Sequence, residues 1–231
     1  MPLAEDLASH GYLVVAVDHT YEAAAVKFPD GRVLYNNRPA DESVEQRDAA
    51  ITVRADDLRF VLTEVERRWS VDVRRVVAVG HSAGGATAAE AAQSDSRFRA
   101  ALNMDGAFSS RVTRAGVPRP TLLLSGAWDF DNWVQWRGAQ QTWGRHLAAS
   151  GMGHYSFTDA PYFIEPAHLR ERLPAPVFAE LFGTVAPARA IEVQRTYVRA
   201  FLDRHLFGVP SPLLNRATPR FPEVSVRWST R

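Results

Sequence analysis

Apolar residues follow two periodicities along this chain, and the alternation between them predicts strands and helices in turn. Short continuous apolar runs, typical of buried strands in a parallel sheet, occur at residues 12–17, 76–79, 98–104 and 121–125. Helical spacing, with apolar residues three or four positions apart, occurs at residues 1–10, 43–69, 85–93, 132–150 and 191–207. Strands and helices in this order predict an α/β fold whose mostly parallel sheet has helices on both faces.

Three segments lack either periodicity. Residues 28–40 contain Pro29-Asp30-Gly31 and are predicted to form a long loop, and the last two dozen residues form a proline-punctuated tail. Residues 160–187 are proline-rich and are interpreted as a lid or rim over a pocket. Because the chain shows no repeat, low-complexity tract or linker, residues 1–231 are interpreted as a single domain.

Composition and charge narrow the range of functions. The chain has 231 residues, 46% of them hydrophobic, and a net charge of +1 without any basic run interleaved with aromatics, so nucleic acid is not expected as a partner. It contains no cysteine, which excludes disulfides, thiolate metal sites and a cysteine nucleophile. Neither a transmembrane segment of roughly 20 apolar residues nor a secretory leader is found. A predicted helix that starts at residue 1 and leads directly into a predicted strand favours an N-terminus further upstream. The cellular location of the protein, cytoplasmic or secreted, therefore stays open.

A glycine-flanked serine is the strongest chemical signal in the sequence. Ser82 lies in Gly80-His81-Ser82-Ala83-Gly84, between a predicted strand and an alanine-rich predicted helix. A serine hydroxyl needs a base within hydrogen-bond reach to act as a nucleophile. G-x-S-x-G between a strand and a helix exposes the serine on a tight turn and directs the following backbone N–H at the developing oxyanion. We therefore predict Ser82 as the nucleophile and Ala83 as an oxyanion-hole residue.

The base is expected among the histidines that follow Ser82, which are His146, His154, His168 and His205. His154 lies in the glycine-rich loop Gly151-Met152-Gly153-His154, where a ring can remain accessible, and we predict that it is the base. His146 and His205 fall within predicted helices beside arginines and are interpreted as surface residues.

Two aspartates compete for the role of orienting the base. Asp105 ends the strand at 98–104, and Asp129 and Asp131 follow the next strand. Both positions lie at carboxyl ends of neighbouring strands, so spacing alone leaves Asp105 and Asp129 open. A metal at Asp129 and Asp131 is disfavoured because no third ligand lies nearby in sequence, and no cofactor is expected.

The chain resembles the platelet-activating-factor acetylhydrolases of the plasma and intracellular type II kind. The resemblance rests on residues 3–12 and 15–19, the elbow at 80–87, and residues 101–106 and 153–159. It implies an α/β-hydrolase fold and an acid 23 residues after the serine, which is Asp105. Related polyester and lipase-like hydrolases take their acid one strand later, so Asp129 is the second choice.

The resemblance further implies a serine esterase acting on short-acyl esters, such as the sn-2 acetyl ester of a phospholipid. His19, at a predicted strand end, and His81 are candidates for substrate binding. In that family a strand and a glycine-rich loop precede the helix that here opens at Met1, so the resemblance implies a truncated chain lacking the first strands. The alternatives are a hydrolase of other esters, such as triglycerides or polyesters, and a non-catalytic fragment; the oligomeric state is open.

Overall fold

A five-stranded sheet forms the centre of the computed structural model, which describes residues 2–39 and 41–230. The strands of the described residues are β1 (Ala25–Lys27), β2 (Val33–Tyr35), β3 (Val76–His81), β4 (Phe98–Met104), β5 (Thr121–Ser125), β6 (Gly144–Ala149) and β7 (Val224–Ser229). The α-helices are α1 (Pro2–Ser9), α2 (Val44–Arg68), α3 (Ala83–Ser94), α4 (Ser110–Ala115), α5 (Asp131–Ala139), α6 (Leu169–Arg172), α7 (Ala175–Phe182) and α8 (Pro187–Phe207).

The sheet has the order β3-β4-β5-β6-β7, with parallel pairing from β3 to β6 and an antiparallel β7 at one edge. Side chains of β5 alternate between its two faces, so Leu122 and Leu124 pack with α8 while Leu123 packs with α3 and α5. Helices α1 and α8 therefore cover one face, and α2, α3 and α5 cover the other. This arrangement confirms the predicted α/β fold with a mostly parallel sheet.

Most of the predicted helices and strands are confirmed within one to four residues. Helix α2 begins after Ser43, whose hydroxyl accepts a hydrogen bond from Gln46 N–H while the Gln46 side chain accepts one from Ser43 N–H. Helix α8 begins at Pro187, a residue suited to the first helical turn because it lacks an N–H. Strands β3, β4 and β5 lie where the continuous apolar runs predicted them.

The strand predicted at residues 12–17 is wrong. In the part of the chain that the structure describes, this segment joins no ladder, and Leu13 and Val15 are 65% and 49% exposed. Tyr12 instead packs against Phe207, and its hydroxyl donates a hydrogen bond to Asp203 of α8. Apolar character favours burial, but a strand also needs a neighbouring strand that supplies backbone partners.

The helix predicted over residues 132–150 is also wrong in its second half. Helix α5 ends at Ala139, and Gly144–Ala149 forms the buried strand β6 between β5 and β7. Residues 147–149, Leu-Ala-Ala, have high helix propensity, but pairing with strands on both sides overrides that local preference. Trp133 and Trp136 lie on the buried face of α5, whereas Trp143 lies outside the helix.

Two segments predicted to be irregular contain short strands. Within residues 28–40, β2 pairs with β1 across the Pro29-Asp30-Gly31 turn, where Gly31 has a φ of +89°. The C-terminal tail contains β7, whose sequence Val-Ser-Val-Arg-Trp-Ser alternates buried and exposed positions as an edge strand does. Three-residue strands such as β1 and β2 are too short for the periodicity to reveal.

The segment 160–187 is more ordered than its composition predicts. It contains α6, α7 and a 3-10 turn at Ala160–Phe163, with a small apolar cluster of its own formed by Ile164, Phe178 and Phe182. Its end pairs with the loop before His154 through a bridge between Met152 and Gly183. Among the described helices, none is long and apolar enough to cross a membrane.

Candidate active site

Ser82 occupies the sharp turn between β3 and α3. Its φ of +55° and ψ of −124° are strained for a residue with a side chain, and its N–H donates to the Met104 carbonyl at 2.8 Å. A Cβ on Gly80 would lie 2.1 Å from the Gly84 carbonyl oxygen. The close approach of the two backbone segments therefore requires glycine at position 80, and the turn has the geometry of a nucleophile elbow.

A second strained turn follows β4, beside the elbow. Asp105 has a φ of +56°, and a Cβ on the next residue, Gly106, would lie 2.1 Å from the Ser82 carbonyl oxygen. The buried Asn103 side chain closes this turn, because its amide donates to the Gly106 carbonyl at 2.8 Å and accepts from the Gly106 N–H at 2.9 Å. Asn103 is not among the residues predicted from the sequence, although a polar residue inside an apolar strand is a signal that could have identified it.

Asp105 and His154 form a close pair at the end of β4. His154 Nδ1 lies 2.7 Å from Asp105 Oδ2, and the other carboxylate oxygen accepts a hydrogen bond from the Gly126 N–H at 3.0 Å. The side chain of Asp105 is 1% exposed, and that of His154 is 33% exposed. Burial raises the pKa of Asp105 above its ordinary value, and the hydrogen bonds from His154 and Gly126 oppose this effect.

His81, the residue before Ser82, connects the elbow to the His154 loop. Its Nε2 lies 2.9 Å from the His154 backbone carbonyl, so this nitrogen carries the proton, and the two rings are 4.5 Å apart. Burial, with a smaller contribution from His154, lowers the pKa of His81 to about 4, so its ring is neutral at pH 7. The contact brings His154 to the same end of the sheet as Ser82. Across the described residues, the Ser82 hydroxyl makes no hydrogen bond.

The N-terminus of α3 faces the same region. Ala83 is the first residue of this helix, so its N–H has no intrahelical partner, as is general for the first turn of a helix. The positive end of the helix dipole lies there as well. The Ala83 N–H can therefore donate a hydrogen bond to an anionic group at the N-terminus of α3.

The structure places the other candidate residues elsewhere. Asp129 accepts a hydrogen bond from Arg137 at 2.7 Å and lies 3.5 Å from Arg227, rather than on His154. His19 is buried, and its Nδ1 lies 2.7 Å from Asp57 of α2. The candidate acid Asp129 and the candidate substrate residue His19 are therefore both engaged by other charged side chains.

The prediction that His146 is a helical surface residue is wrong. His146 lies in β6, is fully buried, and contacts Ser125 and Arg137. His205 does lie in α8, but it is half-buried between the rings of Trp143 and Phe201 rather than free on the surface. His168 is exposed and precedes α6.

Residues 160–187 pack against the His154 loop. The Ser156 hydroxyl accepts from the Gly153 N–H at 3.0 Å and donates to the Phe182 carbonyl at 2.7 Å. Tyr155 contacts Phe182 and His81 with its ring and is partly exposed. Tyr162 and Phe163, in the same segment, are also exposed apolar side chains. The exposed Tyr155 ring thus lies beside His154, whereas the Tyr162 hydroxyl contacts Arg195 of α8.

The chemistry available here is acyl transfer. A histidine oriented by a buried carboxylate, a serine on an elbow and a free helix N-terminus are the components of nucleophilic catalysis at a carbonyl. Over residues 2–39 and 41–230, no group of three histidine, aspartate or glutamate side chains is placed to hold a metal ion.

Comparison with known proteins identifies the family of the chain. The profile of the family "Platelet-activating factor acetylhydrolase, isoform II" matches residues 57–208. The chain is 26% identical to the "Probable 1-alkyl-2-acetylglycerophosphocholine esterase" of Arthroderma benhamiae, over 96% of this chain and 60% of that protein. It is 30% identical to the "Platelet-activating factor acetylhydrolase" of Canis lupus familiaris, over 43% of this chain and 30% of that protein. The chain thus spans well under the full length of these relatives.

A solved structure covers nearly the whole chain. The ferulic acid esterase from Streptomyces cinnamoneus is 40% identical and superposes with a TM-score of 0.89, over 98% of this chain and 68% of that one. The family match includes Ser82, Asp105 and His154 and extends over more than half of the sequence. The chain is therefore an α/β-hydrolase that belongs to the platelet-activating factor acetylhydrolase isoform II family.

Proposed function

We propose that this chain hydrolyses carboxylic esters with Ser82 as nucleophile, His154 as general base and acid, and Asp105 as the acid that orients His154. The observation that carries the proposal is the 2.7 Å contact between His154 Nδ1 and a carboxylate oxygen of the buried Asp105. A proton on Nδ1 that is bound to Asp105 leaves Nε2 with a lone pair, which is the form needed to accept the proton of a serine hydroxyl.

The proposed reaction has two halves. His154 Nε2 takes the proton of the Ser82 hydroxyl as its oxygen attacks the ester carbonyl, and the oxyanion faces the Ala83 N–H. The imidazolium then returns that proton to the leaving alcohol, which leaves an acyl group on Ser82. Water attacks this acyl-enzyme by the same steps and releases the acid and free Ser82. Asp105 stabilises the imidazolium in both halves.

The proposed substrates are short-acyl esters, such as the sn-2 acetyl ester of platelet-activating-factor-like phospholipids. The family membership and the name of the Arthroderma benhamiae relative support this class. The exposed Tyr155 ring, which contacts His154 and His81, supplies an apolar surface for a lipid chain, and we propose that residues 160–187 act as the rim or lid of the pocket.

A second substrate class has its own support. The Streptomyces cinnamoneus structure, 40% identical over 98% of this chain, is described as a ferulic acid esterase. Hydroxycinnamoyl esters carry a rigid aromatic acyl group, on which the exposed Tyr155 ring can stack. The two candidates use the same catalytic residues and differ in the acyl group that the pocket admits. The Asp129 alternative has weaker support, because its carboxylate is paired with Arg137.

The test compares the chain with Ser82→Ala on three substrates: p-nitrophenyl acetate, a sn-2 acetyl phospholipid and ethyl ferulate. The proposal predicts hydrolysis of p-nitrophenyl acetate that the variant loses. The ratio of kcat/KM for the phospholipid and the ferulate identifies the acyl class. Equal rates for both proteins on all three substrates would contradict the proposal and favour a non-catalytic chain.

A further inference from the structure

A continuous line of hydrogen bonds runs behind Asp105, through residues that the proposed reaction does not use. Arg137 of α5 lies 3.1 Å from His146 Nδ1, and His146 Nε2 lies 2.8 Å from the Ser125 hydroxyl. Ser125 ends β5 and bonds to the Gly126 carbonyl at 2.8 Å. The Gly126 N–H in turn donates to Asp105 Oδ1 at 3.0 Å.

The direction of each bond in this line follows from the chemistry of its members. The Arg137 guanidinium has only donors, so His146 Nδ1 must accept and His146 Nε2 must carry the proton. The Ser125 oxygen then accepts from His146 Nε2–H and uses its own proton to donate to the Gly126 carbonyl. His146 is therefore neutral and restricted to one tautomer, and both of its ring nitrogens are used.

The surroundings keep His146 in this state. The residue is fully buried in β6, and the Trp133 ring packs against its ring at an interplanar angle of 78°, with the ring centroids 5.4 Å apart. Burial above all, and then the charge of Arg137, lowers the pKa of His146 to about 3. Arg137 is itself held by Asp129 at 2.7 Å, so the donor to Nδ1 has a defined position.

We propose that His146 is a positioning residue for the catalytic acid: through Ser125 it orients Gly126, whose N–H holds Asp105 against His154. The inference rests on the proposed function, in which Asp105 orients His154. It assigns Asp129 to the support of this line through Arg137, in place of the role of catalytic acid.

Gly126 is where the line acts on the site. Its N–H donates a hydrogen bond to Asp105, and its carbonyl accepts one from the Ser125 hydroxyl, so both backbone polar groups of this residue are held by hydrogen bonds. The carbonyl belongs to the peptide between Gly126 and Ala127 and the N–H to the peptide between Ser125 and Gly126, so the two bonds together restrict the backbone torsions of Gly126. Loss of the bond at the carbonyl removes that restriction and allows the direction of the N–H to change. Misplacement of a catalytic group by about 1 Å can lower the rate on the order of a hundredfold, so a small shift of Asp105 is measurable.

A role in packing alone predicts different behaviour from a role in positioning. Leucine fills the volume of His146 but has no donor or acceptor, whereas glutamine has an N–H for Ser125 and an oxygen for Arg137. If His146 only fills the core, His146→Leu keeps the activity of the wild-type chain. If it positions Asp105, only His146→Gln keeps most of the activity.

The experiment measures kcat and KM for p-nitrophenyl acetate in the wild-type chain, H146L and H146Q, with H205L as a matched control. His205 is also a half-buried histidine packed on aromatic rings, but it lies in α8 outside this line. We expect kcat to fall roughly tenfold or more in H146L, with KM little changed, and to stay within about threefold in H146Q and H205L. Equal kcat values in H146L and the wild-type chain would overturn the inference.

A second background shows whether the effect passes through Asp105. Each variant is combined with D105N, and the slow reaction of Ser82 with a fluorophosphonate probe is followed by intact mass. We expect H146L to lower the labelling rate in the wild-type background and to leave it unchanged in the D105N background. An equal loss in both backgrounds would overturn the inference, because the effect would then be independent of Asp105.

If H146L does not fold, Ser125→Ala takes its place, because it removes the same connection with a smaller change in volume. We then expect S125A to lower the labelling rate in the wild-type background and to leave it unchanged in the D105N background, and an equal loss in both would overturn the inference. Failure of the wild-type chain itself to hydrolyse any ester would contradict the proposed function. An active wild-type chain whose H146L or S125A variant is equally active would contradict only the role of His146.

Discussion

Asp105→Asn, compared with Asp129→Asn, separates the two acids that the sequence left open. Asp105 is buried against His154 Nδ1 at 2.7 Å, whereas Asp129 is partly exposed and paired with Arg137. Two unit charges about 4 Å apart interact by roughly 4 kcal/mol at an effective dielectric constant of about 20. Removing the Asp105 charge from beside the transition-state imidazolium thus lowers kcat roughly a thousandfold.

A second effect adds to this loss. The asparagine amide can donate to His154 Nδ1, which favours the tautomer that cannot accept the serine proton, and in serine proteases this change costs about 10,000-fold in kcat. We therefore expect a decrease of roughly a thousand- to ten-thousandfold for D105N. Asp129 acts on the site only through Arg137 and His146, so D129N should lose no more activity than H146L, far less than D105N.

The assay is the steady-state hydrolysis of p-nitrophenyl acetate, with the free energy of unfolding of each variant measured in urea. Unfolding separates a catalytic loss from a loss of folded protein. A thousandfold decrease in D129N together with a small effect in D105N would refute the assignment of Asp105. It would also refute the charge argument, since that argument predicts the opposite order.

Three further predictions concern stability. Gly80→Ala should prevent stable folding, since its Cβ would lie 2.1 Å from the Gly84 carbonyl oxygen. The control Gly84→Ala should fold, because its Cβ would meet only an arginine nitrogen at 3.8 Å. Equal melting temperatures for the two variants would contradict this prediction. Asn103→Ala leaves the buried Gly106 N–H without a partner, while the Gly106 carbonyl keeps its bond from the Trp133 ring nitrogen. This should lower the free energy of unfolding in urea by about 1–3 kcal/mol, and a loss below about 0.5 kcal/mol would refute it. The pKa of His146 is about 3 in the folded chain and about 6.5 in the unfolded chain. Between these two pH values the unfolded chain therefore binds more protons at this residue, and the free energy of unfolding falls as the pH drops below 6.5. The free energy of unfolding, measured in urea from pH 7 to 4.5, should therefore depend less steeply on pH in H146Q than in the wild-type chain, by up to about 1.4 kcal/mol per pH unit. Identical slopes in the two proteins would exclude this contribution.

The elbow at Ser82 could be predicted because all its determinants are local. A buried strand, a glycine-flanked serine and a helix lie within one short stretch, and each element has a clear periodicity or residue preference. The structure adds that Gly80 is required by the close approach of the Gly84 carbonyl. It also shows that Asn103 and Gly106 build the adjoining turn, which depends on contacts between β4 and the elbow.

The environment of His146 could not be predicted, because it depends on pairing between distant strands. The residues around it favour a helix, and only β5 on one side and β7 on the other make the segment a strand. Once β6 was predicted as a helix, His146 was placed on the surface and its contact with Ser125 could not be foreseen. Spacing left Asp105 and Asp129 open for a similar reason, since both follow neighbouring strands and only tertiary contacts distinguish them; the family resemblance alone favoured Asp105.

The most direct test of the account is to trap the acyl-enzyme. The chain is mixed with p-nitrophenyl acetate, quenched in acid within milliseconds to seconds, digested and mapped by mass spectrometry, with Ser82→Ala treated in parallel. The account predicts one acetyl group on Ser82 that disappears as hydrolysis proceeds, and none at the corresponding peptide of the variant. Ester hydrolysis without acetylated Ser82, or at the same rate in Ser82→Ala, would contradict Ser82 as the nucleophile.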